Sequence, residues 1–353
     1  MVLGFALALA ASVAQGERLS ANNYLLKLSP GINLGNTMEA IPNETSWGNP
    51  KPIDAYFKAV KDAGFRSIRI PVAWSQYSNN SQQIDATWMA HVSDVVRMAN
   101  RAGLYVLINI HWDGGWIEAT ATRKEAVDAK LAKFWTQIAI NFKGFDEHLL
   151  FAGTNEIGVN GEYGPLTSED AEIQNGYNQV FVSAVRATGG KNKTRWLVVQ
   201  GYSTNVDDAA KVNAKMPADS AKGRLMMEVH YYSPYDFTLN DNSNIWQWGA
   251  KATDPKATET WANEAYTDAE FQKMKETFVD NGVPVLLGEY CAGMKQRFPG
   301  MRPFRNDWDR YVTQSAYHHG LVPMFWDTGA VFDRTTGEPT DPELIRTIVA
   351  AAK

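Results

Sequence analysis

The chain has 353 residues, 44% of them hydrophobic and 21% charged, with a net charge of −5, the make-up of an ordinary globular protein. The acidic balance and the lack of a long Lys/Arg run argue against a nucleic-acid partner and against a membrane-surface segment. The one cysteine, Cys291, excludes an intramolecular disulfide and, with no histidine near it in sequence, reads as a core thiol rather than a nucleophile.

The first residues, MVLGFALALAASVAQG, are too short an apolar run to span a bilayer. Residues 1–16 read either as the apolar part of a secretory signal with a small-residue site near Ala14, or as an amphipathic first helix packed under a barrel. Residues 17–353 read as one domain. Asn43-Glu44-Thr45, Asn79-Asn80-Ser81 and Asn192-Lys193-Thr194 match the glycosylation triplet.

Apolar runs of the kind buried in parallel sheets recur along the chain. They lie at 30–36, 66–72, 104–111, 148–156, 195–201, 225–232, 283–290 and 321–327. Helical patterns fall between them, at 53–63, 86–102, 123–142, 169–187, 206–214, 269–281, 303–319 and 342–351, most stopping at a glycine. Eight strands each followed by a helix predict a (β/α)8 TIM barrel in a single α/β domain. A doubly wound open sheet would favour a Gly-rich phosphate loop after the first strand, and GINLGNTMEA is not GxGxxG. The stretch 233–266 is longer than a usual connection, and such loops are generally functional.

In a barrel the active site lies at the C-terminal strand ends. Polar or aromatic residues accumulate there: Asn36, Arg69, His111, Asn155 with Glu156, His230 with Tyr232, Glu289 and Trp326. A lone strand-end glutamate is ordinarily a salt-bridge partner. Glu156 and Glu289 are a pair on strands four and seven, and paired carboxylates flanking a cleft are what glycosidic bond cleavage needs. Arg69 and Tyr232 would favour an ionised Glu289, the expected nucleophile. Glu156, after an apolar strand and an uncharged amide, is left free to rise in pKa, as an acid/base requires.

Twelve tryptophans are present. Trp88, Trp135 and Trp308 sit in helical patterns and read as core. Trp326 on strand eight reads as a sugar platform, and Trp47, Trp116, Trp246 and Trp248 in loop-like segments are further candidates, with loop packing the alternative for each. The His-x-His of metal-dependent barrel hydrolases is missing after the first strand, so neither a metal nor another cofactor is expected.

The segments GINLGNTMEA, ETSWGNP, RIPVAW, NIHWDGGW, TNEI, VHYYSPYDF, LLGEY and FWDTG resemble, in order and spacing, the family 5 glycoside hydrolases over roughly residues 28–350. NLGNT with SWGNP is similar to its subfamily 4, mostly endo-β-glucanases. The resemblance implies a retaining mechanism with Glu156 as proton donor, Glu289 as nucleophile, and Asn155 bonding the sugar 2-hydroxyl. It also implies that Arg69, His111, His230, Tyr232 and Trp326 surround the central sugar. Two positions depart from the pattern. Ile157 stands where the family usually has proline, and Trp112 where the third strand commonly has a second histidine, adding an aromatic wall. The expected activity is endo-β-1,4-glucanase on cellulose-type or mixed-linkage chains, by a secreted, monomeric enzyme. The alternatives are xyloglucan, xylan or mannan as main substrate, and a non-catalytic carbohydrate-binding barrel, which the two glutamates disfavour.

Overall fold

A computed structural model of the protein describes residues 24–158, 166–211 and 215–353; the expectation for residues 1–16 falls outside them. Eight parallel strands form a closed barrel: β1 (Gly31–Leu34), β2 (Ser67–Ile70), β3 (Tyr105–Asn109), β4 (Leu149–Ala152), β5 (Leu197–Gln200), β6 (Leu225–His230), β7 (Val285–Tyr290) and β8 (Leu321–Asp327). Each pairs with its sequence neighbour, and β8 closes on β1 with Asn33 opposite Trp326. The expected strands are therefore all present, β8 with the expected bounds and the other seven shorter than the apolar runs that announced them.

The helices are α1 (Asp54–Asp62), α2 (Ala86–Arg101), α3 (Ala121–Asn141), α4 (Ser168–Ala187), α5 (Val206–Lys211), α6 (Tyr235–Thr238), α7 (Glu264–Thr277), α8 (Arg302–His318) and α9 (Pro342–Ala351). Side-chain caps set several starts. Asp85 accepts from the Trp88 N–H, Thr167 and Asp170 form a reciprocal capping box, and Asp341 accepts from Leu344. α7 begins five residues before the expected Ala269 because Asn263 caps it through the Tyr266 N–H. Among the described residues no helix is long and apolar enough to cross a membrane.

The period of two along each strand splits the barrel into an outer and an inner face. Ile32, Ile68, Val106, Phe151, Val199, Val229, Leu287 and Phe325 join the core shared with the helices, among Phe57, Val96, Trp135, Phe181 and Trp308. The alternate residues fill the inside in layers. The lower layer is apolar, with Leu107, Leu150, Val198, Met226, Leu286 and Met324. Tyr24, Leu25 and Leu28, on a helical turn below, close that end, with Tyr24 stacked on Trp196 at 5.1 Å. The upper layer is polar and buried: Asn33, Arg69, Asn109, Gln200 and Glu228. This polar layer inside the barrel carries the site above it.

The long segment between β6 and α7 is ordered structure. Lys295, 3% exposed, reaches into it and donates to the carbonyls of Asp236, Ser243 and Ile245. Its ammonium thus replaces water with three backbone acceptors, as a buried charge requires. Of the three glycosylation triplets, Asn192 is fully buried and donates to Ala139 O, so a glycan is sterically excluded there.

Candidate active site

Arg69 on β2 is the hub. Its guanidinium is fully buried and reaches four partners: Nη1 donates to Glu289 Oε1 at 2.7 Å and to Asn33 Oδ1 at 3.0 Å, Nη2 donates to Asn155 Oδ1 at 2.6 Å, and Nε lies 2.9 Å from Glu228 Oε1. Glu228 and Glu289 hold Arg69 charged although burial works the other way. The planar fork suits this task, since it offers directed donors to several acceptors at once.

Glu289 stands on β7 where the strand register shifts on both sides, and it pairs with His230 on β6. Its other oxygen, Oε2, accepts from the Tyr232 hydroxyl at 3.1 Å and lies 3.7 Å from His230 Nδ1. The preceding residue has to be glycine: a Cβ on Gly288 would meet Glu228 Oε1 at 2.1 Å. Glu156 follows β4 with left-handed backbone (φ 49°), fixed by its N–H donating to Gln200 Oε1 at 3.2 Å. Its side chain is 45% exposed, and Oε1 lies 2.7 Å from His230 Nδ1. One oxygen each of Glu156 and Glu289 and one nitrogen of His230 lie within 4.8 Å of one another.

Glu228 was not anticipated from sequence. It is fully buried below the site, accepts from Gln200 Nε2 at 2.9 Å and lies 3.2 Å from His230 Nε2. Burial raises it, but Arg69, His230 and Gln200 together hold it down at about 2. Its signal was parity: Glu228 and His230 are two apart on one strand and so share a face. Asn109 is related to His111 in the same way, and its amide donates to His111 Nδ1 at 3.2 Å. Burial, with Arg69 and His230 adding, pushes His111 well below the usual histidine range. It is therefore neutral, with its proton on Nε2.

The electrostatics correct the expectation for the two glutamates. Withdrawal from water raises Glu156, but the His230 hydrogen bond and charge, with Arg69 behind, carry it below the ordinary glutamate value. Burial, with Glu156 and Glu228 adding, lifts Glu289 above that value against the pull of His230 and Arg69. Burial opposes a charge on His230, yet Glu289, Glu156 and Glu228 push it up to about 9. The physical reason is that His230 faces Glu156, a pairing across 74 residues that the sequence could not reveal. In the substrate-free site His230 therefore holds a proton and shares it with Glu156 across their 2.7 Å contact.

Arg69, Asn155, Glu156, His230, Tyr232 and Glu289 therefore form one network. Trp326 stacks on His111 at 5.8 Å and 11° beside it. Trp112 and Trp47 are exposed at 52% and 42% on the loops after β3 and β1. The structure fixes the backbone of Asn36 rather than drawing its amide into the Arg69 network: its N–H donates to buried Glu39, and Asn49 donates to its carbonyl at 2.9 Å. Trp88, Trp135 and Trp308 are core as expected. Trp248 is no platform, being buried with its indole donating to Ala262 O, and Trp246 packs on Phe298. Trp116 is half-buried, its N–H on Asp113 and the Lys130 ammonium over its ring. Cys291 is half-buried; burial, with Asp309 and Glu289 adding, pushes its thiol up, away from the reactive thiolate.

The sequence pattern of the cellulases of glycosyl hydrolase family 5 matches residues 33–331. A xyloglucan-specific endo-β-1,4-glucanase of Bacteroides ovatus is 41% identical over 345 residues, covering 91% of this chain and 68% of that protein. A family 5 xyloglucanase from Paenibacillus pabuli superposes with a TM-score of 0.89 at 36% identity, covering 94% of this chain and all of the other. A broad-specificity endoglucanase of subfamily 4 from Bacteroides salanitronis superposes with a TM-score of 0.87 at 37% identity, covering 92% and 93%.

Proposed function

This chain belongs to glycosyl hydrolase family 5, and we propose that it is a retaining endo-β-1,4-glucanase in which Glu289 is the nucleophile and Glu156 the acid/base. The observation that carries this reading is the spacing: one carboxylate oxygen of Glu156 and one of Glu289 lie within 4.8 Å of each other. Double displacement uses carboxyl groups about 5–5.5 Å apart, whereas inversion leaves room for water at about 6.5–9.5 Å.

The roles follow from mobility and access. Glu289 is nearly buried and clamped by Arg69 and Tyr232, as a nucleophile aimed at one carbon should be. Glu156 is half-exposed in the mouth, where it reaches first the departing oxygen and then a water. The proton of the Glu156–His230 pair moves along their 2.7 Å bond to Glu156. Glu289 reacts as the carboxylate, the form that Arg69 favours by donating to its Oε1. Glu289 then attacks the anomeric carbon while Glu156 protonates the leaving oxygen. A covalent glycosyl-enzyme forms, and Glu156, now a base, activates the water that releases it. Asn155, oriented by Arg69, is placed to bond the sugar 2-hydroxyl, neutral His111 donates from Nε2, and Trp326 offers a flat apolar face.

For the substrate, we propose a β-1,4-glucan backbone with xyloglucan as the main polymer. Relatives that act on xyloglucan match over nine-tenths of this chain. Unbranched and mixed-linkage glucans are the second reading, supported by similarity to a broad-specificity endoglucanase. Rates on xyloglucan, carboxymethylcellulose, lichenan and mannan, with products followed by NMR, test both parts. The β-anomer first and the highest rate on xyloglucan are expected. The α-anomer first overturns the mechanism, and a higher rate on lichenan overturns the substrate.

A further inference from the structure

We infer that Glu156, His230 and Glu289 also form a binding site for a divalent transition-metal ion of the zinc class, and that metal held there blocks the proposed reaction. The inference goes beyond that reading in the binding and rests on it only for the consequence.

The donor set is two carboxylates and one imidazole, drawn from β6, β7 and the loop after β4, with their donor atoms within 4.8 Å of one another. Zinc bound tetrahedrally at about 2.0–2.2 Å holds neighbouring donors ~3.3 Å apart. His230 Nδ1 is 3.7 Å from Glu289 Oε2 and 2.7 Å from Glu156 Oε1. The first distance and the Glu156–Glu289 separation, up to 4.8 Å, have to close, and the second has to open. His230 and Glu289 are nearly buried, while the half-exposed Glu156 side chain has room to move off His230 and toward Glu289. The fourth corner then faces the mouth and takes water.

A second, independent feature is what stands behind the imidazole. Metal-bound histidines donate their other ring N–H to a carboxylate or carbonyl, which fixes the tautomer and raises ligand basicity. Here His230 Nε2 faces Glu228 Oε1 at 3.2 Å, and Glu228 is itself fixed by Gln200 and Arg69. Nδ1 is thereby turned toward the two glutamates, and metal binding there displaces the proton that it shares with Glu156. Arg69 opposes a cation, but it occupies Oε1 of Glu289 and leaves Oε2, which also takes the Tyr232 hydroxyl, with a lone pair for metal. One nitrogen with two carboxylates suits zinc or copper; calcium and magnesium prefer oxygen donors alone. The sequence holds no spacing motif for such a site, because its three donors come from two strands and a loop far apart in the chain.

Metal in this position coordinates both carboxylates that the reaction uses, so it competes with the sugar. Zinc chloride titrated calorimetrically into the full chain tests the binding, with Glu156→Gln and Glu289→Gln as comparisons and thermal melts to check folding. One zinc per wild-type chain is expected, weakened at least about tenfold in both variants, with calcium and magnesium giving no heat. In steady-state assays zinc should raise KM and leave kcat unchanged. Zinc soaked into wild-type crystals and located by anomalous scattering gives a readout that needs no variant. Equal zinc binding by wild type and folded variants, or an anomalous peak elsewhere only, overturns the site. Zinc bound at the trio in a protein that cleaves no β-glucan would sink the functional reading and leave the metal site standing. Cleavage with no zinc at the trio would do the reverse.

Discussion

Glu228 Oε1 lies 3.2 Å from His230 Nε2 and 2.9 Å from Arg69 Nε, so a single buried carboxylate supports both cationic side chains of the site. Glu228→Gln keeps the shape and removes the charge. His230 then loses one of the anions that raise it, so it gives up its proton at lower pH. The expected result is a fall in kcat of about ten- to a hundredfold, the scale of one charge-assisted hydrogen bond, and an alkaline limb displaced to lower pH. An unchanged pH profile would reduce Glu228 to a packing residue.

The wild-type pH profile follows from the same network. Activity needs one proton on the Glu156–His230 pair and none on Glu289. The pair keeps its proton until the pH rises through about 9, the value for His230. Glu289 is lifted above the ordinary glutamate value by burial and the neighbouring carboxylates, so the acid limb lies above that value too. A bell-shaped kcat/KM with its alkaline limb near 9 is expected. A plateau extending down to the ordinary glutamate range would contradict the charge arrangement on Glu289.

These two expectations mark where the sequence was legible and where it was not. The eight strands were plain because parallel strands buried on both faces read as unbroken apolar runs, and glycines such as Gly64 (φ 109°) and Gly103 (φ 84°) end helices where they should. Arg69, Asn155, Glu156, His230, Tyr232 and Glu289 stood out because polarity at successive strand ends has to converge in a barrel. Asn33, Asn109, Gln200 and Glu228 did not, since one polar residue inside an apolar strand looks like a tolerated exception until barrel closure turns alternate residues inward. The direction of the Glu156 shift was beyond reach because it depends on His230, and pairing across the mouth leaves no trace in spacing.

Arg69→Lys tests the hub. A lysine ammonium is compact and cannot reach Asn33, Asn155, Glu228 and Glu289 together. Asn155 loses its orienting donor and Glu289 its clamp, so kcat should fall by about a hundredfold or more, two charge-assisted bonds being lost. KM on xyloglucan should change far less, because the Trp326 face remains. A variant within threefold of wild-type kcat would show that Glu289 is positioned by Tyr232 alone.

Trp326→Ala separates binding from chemistry. Its ring stacks on His111 at 5.8 Å and touches none of the carboxylates through a hydrogen bond, so its loss should act mainly on the sugar face. KM should rise by about tenfold, near 1.4 kcal/mol, within the range for one aromatic contact, with kcat less affected. A kcat loss larger than the KM change would mean that Trp326 holds His111 in place rather than the substrate.

Asp309 on α8 is fully buried; one carboxylate oxygen accepts from the Ala292 N–H at 3.0 Å, just beyond Glu289, and the other has no hydrogen-bond partner among the described residues. Burial pushes its carboxyl up from 3.8 to about 8, against the pull of Arg305. The folded chain therefore keeps a proton that the unfolded chain releases above about pH 4. Fewer protons are bound in the unfolded state across that window, so stability falls as pH rises from about 4 to about 8 and levels off beyond. Asp309→Asn retains the acceptor for Ala292 and removes the ionisation. Its melting temperature relative to wild type should climb steadily between pH 5 and 8 and stay constant above. Glu39, raised to about 7, and Asp113, raised to about 6, give the wild type a similar slope, but they are present in both proteins and cancel in the difference. Paired thermal melts at five or six pH values suffice, and a difference that does not vary with pH would show that Asp309 is ionised in the folded protein.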